Sequence, residues 1–244
     1  MPDKARAILL FGPTAAGKTR LVENLFVSGG FFPGSPAAEI INADSVQVYR
    51  GLDIGSAKPS PQLRQSIPHH LIDIHDPSEQ FTAGAFVKAA QRLIGEIKSR
   101  GRIPVVCGGT AFYFRNLIYG LPPTPPAESS VRAALEAECE EHGLQRMYTR
   151  LQNLDPAGAE RISAKDRYRV LRALEVIHVT GRPLSQLKAP SAPRKDFDFL
   201  VIGLHRDRQE LYSRIDSRVE AMFAAGLAGE VKTLVKQGFR ESDP

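Results

Sequence analysis

The stretch that decides the fold runs from Ala7 to Thr19 and reads AILLFGPTAAGKT. Its first five residues form an apolar run of strand length, and apolar residues from Leu21 to Phe26 then recur at helical spacing. Between them, Gly12-Pro13-Thr14-Ala15-Ala16-Gly17-Lys18-Thr19 matches the pattern G-x-x-x-x-G-K-T. A glycine loop between a strand and a helix aims backbone N–H groups and the positive helix end at phosphate oxygens, while Lys18 adds charge and the Thr19 hydroxyl can ligate Mg²⁺. The sequence therefore predicts a phosphate-binding loop.

Further strands and helices alternate downstream of this loop. Glu39–Ala43 and Ile103–Cys107 read as buried strands, and the helical pattern of Ala85–Arg100 lies between them. Strands that alternate with helices of this length form parallel sheets with right-handed crossovers. We therefore expect an α/β fold, a phosphate-loop NTPase-like parallel β-sheet flanked by helices.

A proline-rich stretch, Leu121–Pro126, interrupts this alternation because neither a helix interior nor a central strand tolerates it. The chain is then helical until about residue 187, with predicted helices at Val131–Glu141, Gln145–Leu154 and Asp166–Thr180. A strand at Phe197–Leu204 and an amphipathic helix at Asp207–Ala225 return the chain to the α/β core, with Leu211, Ile215, Val219 and Met222 on one helix face. The expected domains are a catalytic core, 1–121 and 197–244, and an all-helical insertion, 122–196.

Composition narrows the class of protein. The chain has 244 residues, 42% hydrophobic and 24% charged, and a formal net charge of +5, which is an ordinary globular balance with a slight tilt toward polyanionic partners. No apolar run approaches the roughly 20 residues that cross a bilayer, and the amino terminus lacks a secretory signal pattern. Cys107 and Cys139 lie in unlike contexts, so no disulfide framework or metal cluster is indicated, and the three histidines His69, His70 and His75 complete no metal site. We expect a cytoplasmic protein with no membrane partner.

Two further strand ends point at the same place as the loop. Asp44 follows the second strand, and Gly108-Gly109-Thr110 follows the third. Ligands of open parallel sheets bind beyond the carboxyl ends of the strands, so these residues and the phosphate loop should share one crevice. Asp44 has a plainer interpretation as an Asx turn. A phosphate-loop kinase or NTPase, with Asp44 on Mg²⁺ and the insertion as a lid, also fits this pattern.

Several motifs in fixed order resemble those of the tRNA dimethylallyltransferases. Besides the GPTAAGKT loop they include the arginine-rich helix segment DRYRVLRALE and a later pattern of Arg208 followed by Arg214-Ile215. The stretches that carry the resemblance are Asp44–Pro59, Pro68–Asp73, Gly108–Thr110, Asp166–Glu175 and Arg208–Ile215.

The resemblance implies transfer of a dimethylallyl group from dimethylallyl diphosphate to N6 of the adenosine just 3′ of a tRNA anticodon. The loop would then hold diphosphate with Mg²⁺ at Thr19, and Asp44 would be the base for the adenine amino group. The implied partners are dimethylallyl diphosphate and the tRNA anticodon stem-loop, and we expect the protein to act as a monomer. The implied catalytic residues are Asp44, Thr110, Arg208 and Arg214. The implied tRNA-binding residues are Asp44, Ser45, Val46, Gln47, Thr110, Tyr168, Arg169, Val170, Leu171 and Arg172.

Plainer alternatives accompany these roles. Arg169 and Arg172 lie three apart and form a solvated helix stripe that pairs with Glu175 in the ordinary interpretation. A third possibility is a catalytically inactive RNA-binding protein that keeps the fold. The family's G-Y-[KR] and K-R-Q-x-T-W segments, which help to bind tRNA, are not found among these residues, and the stretch 28–36 is longer than the family's usual turn.

Overall fold

The computed structural model describes residues 5–26 and 37–240, and it contains a five-stranded, all-parallel sheet. The predicted long turn at 28–36 lies outside the described residues. The strand order is β3-β2-β4-β1-β5. The strands are β1 (Ala5–Phe11), β2 (Ala38–Ala43), β3 (His69–His70), β4 (Ile103–Gly108) and β5 (Phe197–Gly203). This confirms the predicted α/β class.

Helices flank the sheet or form the helical part of the chain. Those of the sheet-containing part are α1 (Lys18–Phe26), α2 (Pro61–Ser66), α3 (Ala83–Ser99), α4 (Ala111–Tyr119), α9 (Arg208–Ala224) and α10 (Leu227–Lys236). Those of the helical part are α5 (Ser129–His142), α6 (Leu144–Leu154), α7 (Pro156–Ala159), α8 (Arg167–Thr180) and a short 3₁₀ turn at Leu184–Gln186. Among the described residues, no helix is both long and apolar enough to cross a membrane.

Helix α3 shows how the sequence pattern builds the core. The Thr82 hydroxyl caps its start by accepting a hydrogen bond from the Ala85 N–H at 3.1 Å. Its apolar residues recur every three or four positions, so they form one face, which packs on the sheet. The residues of this face are all buried: Phe86, Val87, Ala90, Leu93, Ile94 and Ile97. Gly101 follows the helix with φ +69°, a left-handed conformation that glycine adopts at little cost.

Residues 120–192 form one compact unit, and the described residues on either side form the other. Inside the helical unit, α5, α6 and α8 share a core in which Met147, Leu151 and Val170 have no exposed surface. The Asp155 carboxylate caps α7 at the Gly158 N–H and also accepts from the Ser185 N–H and hydroxyl. The three predicted helices of this unit are present, with ends within two residues of the prediction.

Helix α9 differs from its prediction in one respect. The helix is present, but none of its residues is buried, and Val219 of the expected apolar face is 42% exposed. The regular spacing of apolar residues identified the helix correctly. It does not report how closely a neighbouring element covers that face.

Candidate active site

The phosphate loop joins β1 to α1 and is tightly curled. Ala15 and Gly17 have φ of +62° and +99°, a left-handed backbone that costs alanine energy and suits glycine. The Lys18 ammonium folds back over the loop and donates to the carbonyls of Gly12, at 2.8 Å, and Pro13, at 2.9 Å. The loop therefore places a cation and the first turn of a helix together, which is the chemistry of a phosphate site.

The end of β4 is pressed against the loop and against β2. A Cβ added to Gly108 would lie 2.1 Å from the Ala43 carbonyl oxygen, a distance that no side chain can occupy. A Cβ on Gly109 would lie 3.4 Å from the Gly12 carbonyl oxygen and 3.8 Å from the Lys18 ammonium. Glycine at position 108 is therefore required for the ends of β2 and β4 to approach so closely, whereas a Cβ at position 109 would make ordinary contacts with the loop.

Asp44 begins the segment that follows β2, and its carboxylate is held by backbone. Its Oδ1 accepts hydrogen bonds from the N–H groups of Val46, at 2.9 Å, and Gln47, at 3.3 Å. This is the Asx turn that the sequence left open as an alternative for Asp44. The turn uses Oδ1 and fixes the carboxylate, while Oδ2 takes no part in either bond. The turn and a role in proton transfer are therefore compatible.

Thr110 connects the ends of β4 and β2. Its Oγ1 accepts from the Ser45 N–H at 3.1 Å and lies 3.4 Å from the Ser45 hydroxyl. The Thr110 N–H donates to the Ala43 carbonyl at 3.2 Å. The structure thus brings Thr110, Ser45 and Asp44 together at one edge of the sheet.

A cavity, which we call the site cavity, lies at this edge. It encloses about 90 Å³ and is lined by residues of the phosphate loop, both strand ends and α9. Its polar lining residues are Thr14, Lys18, Thr19, Asn42, Asp44, Gln47, His69 and Arg218. Lys18 and Asp44 therefore face the same space.

Burial sets the electrostatics of the cavity. It lowers the pKa of Lys18, while the Cys107 and Asp44 groups act in the opposite direction and Arg218 adds to the lowering. Burial also raises the pKa of Cys107 to about 11. Cys107 is therefore a neutral thiol near neutral pH.

Arginines at the start of α9 hold the phosphate loop from the other side. Arg214 Nε donates to the Ala15 carbonyl, and Arg206 Nε to the Ala16 carbonyl, each at 2.8 Å. Glu210 Oε1 lies between them, 2.5 Å from Arg206 Nη1 and 3.9 Å from Arg214 Nη1. Arg208 is also expected at the site, but its Nε donates a hydrogen bond to the Tyr212 hydroxyl at 2.9 Å rather than to the phosphate loop.

Sequence reasoning missed Arg206 and Arg218. Arg206 precedes α9 by two positions and lies outside the motif that singled out Arg208 and Arg214. Arg218 lies one helical turn beyond Arg214, so helical periodicity from Arg214 was the signal that could have indicated it. No sequence signal indicates Arg206, because its place depends on the path of the segment between β5 and α9.

The arginine-rich stretch of α8 contains both exposed and buried side chains. Tyr168 is 53% exposed, with the Arg132 guanidinium 4.9 Å from its ring centroid. Arg169 is exposed and pairs with Asp166 at 3.3 Å. Val170 and Leu171 lie in the helical core at 0% and 1% exposure, so their side chains are closed to a ligand by packing.

Arg172 of the same stretch has an internal role in the helical unit. It lies 2.9 Å from the fully buried Glu175 and donates to the Pro125 carbonyl at 2.6 Å. The pairing with Glu175 that the sequence left open is therefore present for Arg172, whereas Arg169 pairs with Asp166.

A loop that carries G-x-x-x-x-G-K-T between strand and helix, with a carboxylate at the neighbouring strand end, defines a phosphate-loop α/β protein. Residues 47–244 also match the family model described as IPP transferase. The chain is 47% identical over 236 residues to a tRNA dimethylallyltransferase of Halorhodospira halophila, covering 96% of this chain and 74% of the relative. It is 43% identical over 238 residues to the enzyme of Geobacter sulfurreducens, covering 97% and 74%. The chain belongs to the IPP transferase family, the tRNA dimethylallyltransferases.

Solved structures agree with this assignment. The full-length tRNA isopentenylpyrophosphate transferase of Bacillus halodurans superposes with a TM-score of 0.61 at 37% identity, covering 98% of this chain and 72% of that one. A eukaryotic dimethylallyltransferase, solved while acting on tRNA, gives a TM-score of 0.78 at 29% identity, covering 98% and 58%.

Proposed function

We propose that this protein transfers a dimethylallyl group from dimethylallyl diphosphate to N6 of the adenosine immediately 3′ of the anticodon in tRNA, with release of diphosphate. The observation that carries the proposal is that Lys18 and Asp44 line one cavity at the carboxyl edge of the sheet. A phosphate site and a carboxylate that face each other suit a reaction between a diphosphate ester and an amine. The tRNA substrate makes the cytoplasm the proposed place of action.

The reaction breaks one bond and forms another. The C1–O bond of the allylic donor breaks, and its electron pair leaves with the diphosphate. The adenine N6 forms a new bond to C1 and loses a proton, which the Asp44 carboxylate accepts. The amino lone pair is delocalised into the ring, so removal of the proton as the bond forms is what makes N6 reactive. Oδ2 of Asp44 is the oxygen that the Asx turn leaves for this proton.

The phosphate loop and the basic residues stabilise the leaving group. Negative charge accumulates on the diphosphate as the C–O bond breaks, and positioned N–H groups and cations lower the energy of that state. Lys18 is the cation within the loop itself, and Arg214 and Arg206 lie behind it on the carbonyls of Ala15 and Ala16. We propose that Arg214 contacts the diphosphate directly, because it belongs to the family motif and also lies against the phosphate loop. Arg208 joins it only if its guanidinium leaves Tyr212.

The site also fits Mg²⁺. Thr19 supplies a hydroxyl oxygen to the cavity beside Lys18, and Mg²⁺ in phosphate sites takes one or two protein oxygens and completes its shell with substrate phosphates and water. When bound, the ion supplies positive charge to the departing diphosphate. Among the described residues, no group of three or more His, Cys, Asp or Glu side chains forms a metal cage.

Recognition of tRNA is proposed for two surfaces. Ser45, Val46 and Thr110 lie beside Asp44, Ser45 is hydrogen-bonded to Thr110 and Val46 is 41% exposed, so we propose that the target base reaches Asp44 along these residues after leaving the anticodon stack. On the helical unit, Tyr168 and Arg169 are exposed members of the arginine-rich stretch, and they offer a stacking surface and a phosphate contact.

Product analysis tests the proposal. The chain is incubated with Mg²⁺, dimethylallyl diphosphate and an unmodified tRNA, and diphosphate release and the masses of the digested nucleosides are measured. We expect prenylated adenosine in equal amount to diphosphate, and none when either substrate is omitted. ATP consumption without a modified nucleoside would support the kinase or NTPase alternative. Stem-loop binding without product, unchanged in Asp44→Ala, would support an inactive RNA-binding protein.

A further inference from the structure

The segment from Gly51 to Pro59, here called the wall loop, forms one side of the site cavity through Ala57 and Pro59. None of its residues takes part in the chemistry proposed for the cavity. Its conformation nevertheless decides the shape of the cavity next to Asp44.

A carboxylate from α10 holds the outer side of the wall loop. Glu230 Oε2 accepts from the N–H groups of Asp53, at 2.8 Å, and Ile54, at 2.7 Å, and its Oε1 accepts from the Gly55 N–H at 3.0 Å. Three successive backbone donors that converge on one charged acceptor make strong hydrogen bonds. This side chain therefore anchors the loop at three successive residues.

The same face of α10 also packs on the wall loop through two leucines. A Cβ on Gly55 would lie 3.1 Å from Leu227 Cδ1, and a Cβ on Gly51 would lie 3.4 Å from Leu234 Cδ2. Leu227, Glu230 and Leu234 are spaced by three and four residues, so they share one helix face. This close approach keeps the carboxylate at hydrogen-bonding distance from the loop.

The inner side of the wall loop reaches Asp44 through Gln47. Gln47 Nε2 donates to the carbonyls of Ser56, at 3.0 Å, and Ala57, at 3.2 Å. The Gln47 N–H in turn donates to Asp44 Oδ1. A continuous path of hydrogen bonds and covalent backbone thus runs from Glu230 to the carboxylate of Asp44.

We infer that Glu230 is a positioning residue for the transfer step, which acts through the wall loop and Gln47 to orient Asp44 toward the amine. The inference rests on the proposed function, because it gives Asp44 the role of the base. Diphosphate binding does not depend on this path, since the loop Gly12–Thr19 and Lys18 form a separate set of contacts.

The first test compares Glu230→Gln with Glu220→Gln, an exposed glutamate on α9. The glutamine keeps the shape of Glu230 but turns an NH₂ toward backbone donors. We expect kcat for prenyl transfer to fall about tenfold in Glu230→Gln, because a small displacement of a reacting group slows the chemical step strongly. The diphosphate Kd, measured by calorimetry, should match that of Glu220→Gln, whereas the melting temperature should fall because the backbone N–H groups lose a charged acceptor. Loss of diphosphate binding together with kcat would show a general structural role and overturn the inference.

A double-variant cycle with Asp44→Ala decides the mechanism. If Glu230 acts through Asp44, Glu230→Gln should change kcat by less than about twofold once Asp44 is alanine. If Glu230→Gln lowers kcat by the same factor with and without Asp44, the positioning inference is overturned and the proposed function is left intact. An unchanged kcat in Asp44→Ala alone would overturn the role of Asp44 in the proposed function instead. If Glu230→Gln does not fold, Gln47→Ala replaces it, because it breaks the path at the other end. We expect the same loss of kcat with an unchanged diphosphate Kd.

Discussion

Two carboxylates lie at opposite ends of β2 and have unlike surroundings. Glu39, near the amino end, has only 4% of its side chain exposed, with Arg100 Nη2 at 2.7 Å, His70 Nε2 at 2.6 Å and Arg102 Nη1 at 3.4 Å. Asp44, just past the carboxyl end, is held by two backbone N–H groups and lines the cavity that it shares with Lys18.

The difference follows from the direction of the strand. At the carboxyl edge of a parallel sheet, glycine turns and helix N-termini leave space for a ligand. At the amino edge of this sheet, cationic side chains surround Glu39 and complete its ion pairs. One end of the strand thus carries a paired, buried charge and the other carries the proposed base, so variants at each end should affect different measurements.

The largest effect is expected for Asp44→Ala. Loss of a positioned base reduces turnover by roughly 10² or more. Diphosphate binding should stay near normal, because the phosphate loop and Lys18 remain. Single-turnover kinetics with tRNA and calorimetry with diphosphate measure the two properties. The control is Asp198→Ala, because Asp198 of β5 forms an exposed ion pair with Arg6 of β1. Equal turnover in the two variants would exclude Asp44 from the chemical step.

Glu39→Ala should show the opposite profile. Removing a buried acceptor from several charged donors lowers the free energy of unfolding by about 2 kcal/mol. Prenyl transfer by the folded fraction should be unchanged. Urea unfolding measures the loss, and Glu96→Gln, in an exposed pair with Arg92, should cost under about 0.5 kcal/mol. A fall in kcat for folded Glu39→Ala would contradict the separation of the two ends.

Acidification should reveal the charge on Glu39. Hydrogen bonds from Arg100, with His70 contributing, hold the pKa of Glu39 below its ordinary value of 4.5. A lowered folded-state pKa means that this stabilisation is complete above the ordinary value and is lost as the pH falls through the folded-state pKa. The stability difference between the parent chain and Glu39→Gln should therefore shrink as the pH falls from about 6 toward about 3. A difference that is constant with pH would mean that the pKa of Glu39 is the same in the folded and unfolded states.

The smallest expected effect is the coupling between the two ends. Asp44→Ala and Glu39→Gln have no shared hydrogen-bond partner among the described residues, so their effects on unfolding free energy should add within about 0.5 kcal/mol. Urea unfolding of the double variant measures this. A larger coupling would show that β2 transmits strain between its ends.

The sequence predicted those parts of the site that depend on local backbone. The run Ala7–Thr19 encodes strand, loop and helix within a few residues, and Asp44 and Thr110 follow apolar strands directly. Parallel pairing of β2 and β4 then brings Asp44 and Thr110 to one edge without further information.

Other contacts depend on long-range packing that no local pattern records. The strand β3 has two residues, too few for a periodic signal, and Glu230 meets residues 53–55 from far along the chain. The family pattern named Val170 and Leu171 with their neighbours, although helical periodicity separates them into the core. A motif marks a stretch of sequence, and burial decides which of its side chains can meet a ligand.

The position of the Lys18 ammonium has a further consequence. The carbonyls of Gly12 and Pro13 already hold it, so its four-carbon chain is ordered before any anion arrives. Immobilising a lysine side chain costs up to about 2 kcal/mol of rotamer entropy. In this loop that cost arises when the protein folds and not when an anion binds. If the loop binds diphosphate as proposed, the anion would exchange neutral carbonyl partners for its own charged oxygens, and its affinity would not be reduced by the ordering of a mobile side chain.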